Sequence, residues 1–251
     1  MRLYLALFFC LTPISLRAQT QVLTKQGRWI STALNSLIFR NDYVLDAVFE
    51  GVPEHTNYIF KGDTLVLFKN YYSSVDNFAF ERSDSAKFFI KAVSQRQLIL
   101  VPVGDNARNL ARRSEYRYAN LTYIPAEKIS FKSLTLSLTS GDSSARQINI
   151  NRQGDVAFSG KITADGKLDK FTGKLNRSQL DTLQRLLQHS LLSRLAEWHQ
   201  NVALTDVPEL KLEVITTDGQ LYRLQSQLIP ANLEPLTDFI LGLPERLRKI
   251  R

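Results

Sequence analysis

Glu197, Trp198, His199 and Asp206 are the densest cluster of chemically capable side chains in this sequence of 251 residues. A histidine flanked by two carboxylates and an aromatic face can act as a general base, or can hold a sugar or a peptide. That would make Glu197, His199 and Asp206 the candidate catalytic residues of a hydrolase. A plainer reading has Trp198 filling a gap between a helix and a sheet, while Asp206 shapes the turn before Pro208. Other chemistries have less to stand on. The three histidines, His55, His189 and His199, make no His-Glu-x-x-His or comparable ligand spacing, so no metal and no cofactor is expected. There is no Gly-x-Ser-x-Gly elbow, no Gly-x-Gly-x-x-Gly and no P-loop. Asp165-Gly166-Lys167-Leu168-Asp169 lacks the acidic spacing and closing glutamate of a calcium loop, and reads as a turn.

Two elements must position the cluster. Upstream, Leu180, Leu183, Leu186, Leu187 and Leu191 recur at steps of three and four, which makes one apolar stripe on an amphipathic helix. Asn176 and Gln179 have the spacing of a capping box at its start. Downstream, Leu210 to Ile215 and Leu221 to Gln225 alternate around Thr217-Asp218-Gly219-Gln220 and predict a hairpin. Ahead of the helix, Leu134, Leu136 and Leu138 predict a strand, followed by a turn at Gly141-Asp142-Ser143-Ser144. Ile148 and Ile150, a turn at Asn151 to Gly154, then Val156 and Phe158 predict a half-buried hairpin. A last helix follows from Leu233, Leu236, Phe239, Ile240 and Leu243, with Asn232 as its cap, Pro235 in its first turn, and Gly242 and Pro244 ending or bending it. Residues 129–251 therefore read as an α+β layer, with helices on one face of a mostly antiparallel sheet.

Residues 20–125 have a different texture. Short strands are predicted around Leu37 to Arg40, Tyr43 to Phe49, Tyr58 to Phe60, Leu65 to Phe68, Phe78 to Phe80, Phe88 to Val93 and Leu98 to Val103. Asn41-Asp42 and Lys61-Gly62-Asp63 supply hairpin turns, and no helical period of useful length interrupts them. Such a pattern favours a barrel or a sandwich, and closure removes exposed edges. Sixteen of the 25 aromatic residues lie here, between Trp29 and Tyr123. They form either a solid core or a cup for an apolar ligand, in which Tyr58, Phe60, Phe68 and Phe80 are the candidate contacts, with Trp198 beside them as a candidate from the second half. Arg108, Arg112, Arg113 and Arg117 interleave with Tyr116, Tyr118 and Tyr123 in what reads as an exposed connector running into a last strand, with the boundary near Pro125.

The first residues, MRLYLALFFCLTPISLRAQ, combine Arg2, a short apolar run and a cut after Ala18, the pattern of a secretory signal peptide over residues 1–19. Bulky Phe8 and Phe9 ahead of Cys10 argue against a lipid anchor there. Cleavage would remove the single cysteine and leave no second apolar span. It would also take the net charge from +8 to +6 by removing Arg2 and Arg17. The remaining excess divides as 14 basic against 11 acidic residues from Thr20 to Lys128 and 16 against 13 beyond, an even spread that does not describe a nucleic-acid groove.

Gly27-Arg28-Trp29 resembles the opening Gly-x-Trp of lipocalins. Tyr58 to Leu65, Phe88-Phe89-Ile90 and Leu98-Ile99-Leu100 are similar to small bacterial lipocalin-like domains. The resemblance implies that Trp29 closes a barrel floor. Gly154 to Gly160, the helix after it and Thr205-Asp206-Val207-Pro208 resemble the bacterial domain-of-unknown-function family numbered 6438 over residues 129–251. That second resemblance implies no activity, only that Gly154 and Gly160 serve the backbone and that Asp206 and Pro208 shape a loop. The expectation is an exported protein, periplasmic or extracellular, that binds a small apolar ligand or an envelope partner without catalysis. A structural or interaction role is the alternative, and a hydrolase the third.

Overall fold

Alternating apolar residues commit a strand to one buried face, and in the first half of this chain that commitment is met by closing a sheet on itself. A computed structural model describes residues 20–41, 43–46, 54–72, 81–110, 113–139, 146–161, 168–197 and 207–248. The chain divides into two compact units at the bond between Ile124 and Pro125.

In the first unit residues 20–26 are helical (α1). Eight strands follow: β1 (Arg28–Ser31), β2 (Ser36–Phe39), β3 (Tyr43–Asp46), β4 (Glu54–Lys61), β5 (Thr64–Tyr72), β6 (Glu81–Val93), β7 (Gln97–Val103) and β8 (Tyr116–Asn120). Each pairs antiparallel with the next, and β8 returns to β1 with Trp29 opposite Asn120, so the barrel is closed. One set of side chains faces in. Register carries it from Phe60 to Leu65, Phe88 and Pro102, and from Ile90 to Leu100 and Tyr116. Trp29, Leu37, Leu65, Leu67, Phe88, Leu98, Leu100 and Tyr118 join one buried cluster. Each such side chain contributes about 1.5–3 kcal/mol by leaving water.

The strands run longer than the apolar pattern predicts. Residues Glu81 to Ser85 have no apolar alternation, yet they extend β6 because their backbone groups pair with Phe68 to Tyr72 of β5. Asp42, the end of the strand predicted over Tyr43 to Phe49, and Phe78 to Phe80 lie outside the described residues. The connector after β7 holds a helix, α2 (Asp105–Leu110), too short to leave a period in the sequence. Its Ala107 is buried in the barrel cluster.

The second unit is a six-stranded sheet made of β9 (Phe131–Thr139), β10 (Arg146–Asn151), β11 (Asp155–Lys161), β12 (Leu168–Lys174), β13 (Glu209–Thr216) and β14 (Leu221–Ser226). Its spatial order is β12-β11-β10-β9-β13-β14, every pair antiparallel. A single apolar row crosses all six strands: Phe171, Phe158, Ile148, Leu136, Leu212 and Leu224. The adjoining row on the other face carries Thr172, Ala157, Asn149, Thr135, Glu213 and Arg223, with the Thr135 hydroxyl donating to Asn149 Oδ1 at 2.9 Å. β12 was not predicted. Phe171 is its only large apolar residue on the core side, while Lys170 and Lys174 mark it as an edge.

Among the described residues this unit also holds three helices: α3 (Arg177–Gln188), α4 (Glu234–Leu241) and α5 (Leu243–Arg248). α3 buries Leu183 and Leu187 and starts in the predicted capping box: Asn176 Oδ1 accepts from Gln179 N–H and Gln179 Oε1 accepts from Asn176 N–H, both at 2.9 Å. A 3-10 turn, Leu192–Glu197, follows. Its first amides point at Glu127, whose carboxylate accepts from Leu192 N–H at 2.7 Å and from Ser193 N–H at 3.2 Å. Pro235 sits in the first turn of α4, and Gly242 separates α4 from α5. The Asn232 cap is a correction. Leu233 holds the N-cap position, and Asn232 is instead buried, donating its amide to Ser190 O at 2.5 Å. Tertiary packing uses its side chain as a tie to the end of α3 and leaves the helix start uncapped.

Candidate functional site

Of the residues singled out for chemistry, Glu197 ends the 3-10 turn, whereas Trp198, His199 and Asp206 lie outside the described residues, as does Phe80. His189 is the C-cap of α3 and is exposed; its backbone N–H turns back to the carbonyls of Arg185, Leu186 and Leu187. His55 stands on β4 in register with Leu45. Among the described residues no three His, Cys, Asp or Glu side chains gather as metal ligands. Gly154 and Gly160, singled out as serving the backbone, have φ of +82° and +138°.

The aromatic candidates of the barrel divide. Tyr58 and Phe60 lie in register with Leu67 and Leu65, on the inward side of β4, and both pack on the core. Phe39 joins them. Its ring meets Tyr58 edge-on with centroids 5.1 Å apart, and Phe60 lies 5.9 Å away. Phe68 is not brought to this group. It pairs with Asn57 and Ser85, and so faces away from the side that Leu65 and Leu67 occupy. Strand parity decides this: Leu67 already holds the inward position beside it.

The interior between these rings and β8 is filled. Trp29, Leu37, Leu65, Leu67, Phe88 and Leu98 are all at most 1% exposed. Open space occurs at the barrel end that α1 crosses. There a cleft of about 560 Å³ is lined by Lys25, Phe39, Arg40, Asn41, Tyr43 and Tyr58. Bonds that hold α1 to the barrel include two that reach other segments. The buried Trp29 Nε1–H donates to Thr24 O at 2.8 Å, and Gln21 Nε2 donates to Gly62 O at 3.4 Å. These place the Lys25 ammonium 5.5 Å over the Tyr58 ring and 5.6 Å from that of Phe60. Arg40 and Asn41, which follow β2, line the cleft as well: Arg40 N–H donates to Tyr43 O at 2.8 Å, and the Tyr58 hydroxyl donates to Arg40 O at 2.8 Å.

Two cations and three aromatic rings thus face a volume of ligand size, and none of the six lining residues carries a carboxylate. No family model matches the chain, and no curated protein and no solved structure matches it.

Five of the six lining residues were not among the sequence-derived candidates. Phe39 and Tyr43 were legible as strand residues and Asn41 as a turn residue, but nothing in periodicity says that a turn will form a wall. Lys25 and Arg40 had no signal, because single exposed cations are common. Elsewhere on the barrel, Glu115 accepts from Lys91 Nζ at 2.6 Å and pairs with Arg117 at 2.6 Å. The Lys91 hydrogen bond first, and the nearby Arg117 charge after it, hold the carboxyl below its ordinary value. Burial pushes the Tyr116 hydroxyl upward. Among the described residues no helix is long and apolar enough to cross a membrane.

Proposed function

We propose that this is an exported, non-enzymatic binding protein of a cell envelope, in which a lipocalin-like barrel holds a small ligand at its α1 end. One observation carries the reading: a cleft of about 560 Å³ whose walls are aromatic and cationic, beside a barrel interior already occupied by side chains. Gly27-Arg28-Trp29 entering the first strand of a closed eight-stranded barrel supports the lipocalin-like reading. The second unit, with its buried row and helices, is the part proposed to resemble family 6438, with its helices on one face of the sheet. The leader-like first residues support export to the periplasm or the outside.

Native mass spectrometry on protein purified without denaturation tests this. The expected result is a population heavier than the bare chain that returns to the bare mass on denaturation. A clean apo mass favours the second reading, an interaction protein of the envelope. That reading has its own observation: Ile59, Phe89 and Val103 stay more than 40% exposed on the outer wall of β4, β6 and β7. The hydrolase reading rests on Glu197, His199 and Asp206, and would need an activity that disappears when His199 and Asp206 are replaced by alanine.

A further inference from the structure

We infer that the cleft lined by Lys25 of α1, by Arg40 and Asn41 after β2, and by Phe39, Tyr43 and Tyr58 is selective for a small organic anion with a flat, ring-sized apolar body, such as an aromatic carboxylate. This rests on the binding reading above and names the chemistry of its ligand.

The charge argument comes first. Lys25 and Arg40 both line the cleft, and neither makes a hydrogen bond or ion pair through its side chain with the described residues, which do not include Asp42 between the lining residues Asn41 and Tyr43. Among the described residues, Lys25 is balanced by the faces of Tyr58 and Phe60, which attract a cation but accept none of its N–H bonds in the way an oxygen does. An incoming carboxylate would supply the missing acceptors, and a charged partner makes such bonds about twice as strong as neutral ones.

The shape argument is independent. Phe39, Tyr43 and Tyr58 supply the cleft's aromatic lining, and the rings of Phe39 and Tyr58 are not free to collapse into the space. Phe39 is 7% exposed and locked edge-on against Tyr58, while the Tyr58 hydroxyl is committed to Arg40 O. A wall of fixed rings favours a flat guest. Both cations stand on anchored backbone, α1 by the Trp29 and Gln21 bonds and the turn by the Tyr58 bond. Little ordering is then left for binding to accomplish.

The test uses 2-naphthoate and 2-naphthamide, which match in ring and size and differ in charge, titrated calorimetrically into the full chain. The expected result is naphthoate binding at least ~10-fold tighter than the amide, in line with one or two charge-assisted hydrogen bonds. Lys25→Met and Arg40→Met should each weaken naphthoate about 5- to 30-fold and leave the amide alone. The double variant should bind both probes equally. Both side chains are exposed, so the variants should keep the wild-type melting curve. Equal affinity of the wild type for the two probes, or naphthoate binding unmoved by either substitution, overturns the anion assignment. If the amide binds and the acid does not, or if a neutral native ligand is found bound, the binding reading survives and this inference fails. If neither probe binds and the native mass is clean, both fall.

Discussion

The indole of Trp29 folds back across Gly27: a Cβ placed on residue 27 would lie 2.0 Å from Cε2 and 2.2 Å from Nε1 of that ring. Glycine is needed here for space, because the ring is 1% exposed and its N–H is spent on Thr24 O. Gly27→Ala should therefore drive the indole from its site and cost about 2–4 kcal/mol, at or above the upper end of overpacking penalties. The loss would be measured by urea unfolding followed by circular dichroism. An alanine variant as stable as the parent would show that the ring has another place to go.

Glu127 reaches 65 residues along the chain to cap the 3-10 turn at Leu192. Glu127→Ala should leave the two amides unpaired and destabilise the second unit by about 1–2 kcal/mol, the usual range for a lost cap. Glu127→Gln, which keeps one acceptor oxygen, should recover part of that. Amide exchange at Leu192 and Ser193 is the direct readout; unchanged protection in the alanine variant would remove the cap from the account.

The hairpin between β10 and β11 turns on Gly154, with φ of +82°, and its carbonyl accepts from Leu175 N–H at 2.8 Å. Alanine at this position would meet both a strained backbone and the Leu175 Cβ at 3.3 Å. A loss of about 1–3 kcal/mol is expected for Gly154→Ala, against about 1 kcal/mol for Asn176→Ala at the capping box nearby. Thermal melts of the two variants should rank in that order. The reverse order would mean that the turn relaxes more easily than the helix start.

Acid should weaken the turns at β10–β11 and β13–β14. Asn151 donating to Asp155, and the Thr216 hydroxyl donating to Asp218, hold both carboxyls below their ordinary values. A carboxyl depressed in the folded state contributes stability above its unfolded pKa, about 3.9 for aspartate, and loses it as pH falls through the folded value. Stability should thus drop below about pH 4 by this route and not between pH 5 and 8. A variant carrying Asp155→Asn and Asp218→Asn should show a shallower acid limb. An unaltered limb would assign acid sensitivity to other groups.

Much of the second unit was legible because its cues are local. Asn176 and Gln179 are three residues apart and bond to each other, and Leu134 with Leu136 and Ile148 with Ile150 alternate within single strands. Such features depend on neighbours in the chain, so composition and spacing determine them. The candidate histidine cluster offers no such comparison, since Trp198, His199 and Asp206 lie outside the described residues.

What spacing could not determine depended on partners far along the chain. Alternation announced strands in the first unit, but their closure into a barrel required β8 to find β1, with Trp29 against Asn120 across 91 positions. β12 formed because β11 offered it a ladder, although its own apolar signal is one phenylalanine. Asn232 had the residue type of a cap, and a buried carbonyl at Ser190 claimed its amide first. The cleft is the extreme case. Lys25, Arg40 and Tyr58 come from a helix, a turn and a strand, and they line one cleft only because a buried indole N–H and a tyrosine hydroxyl fasten the first two to the barrel. Hydrogen bonds between distant segments leave no period in a sequence, which is why the elements could be read there and their meeting place could not.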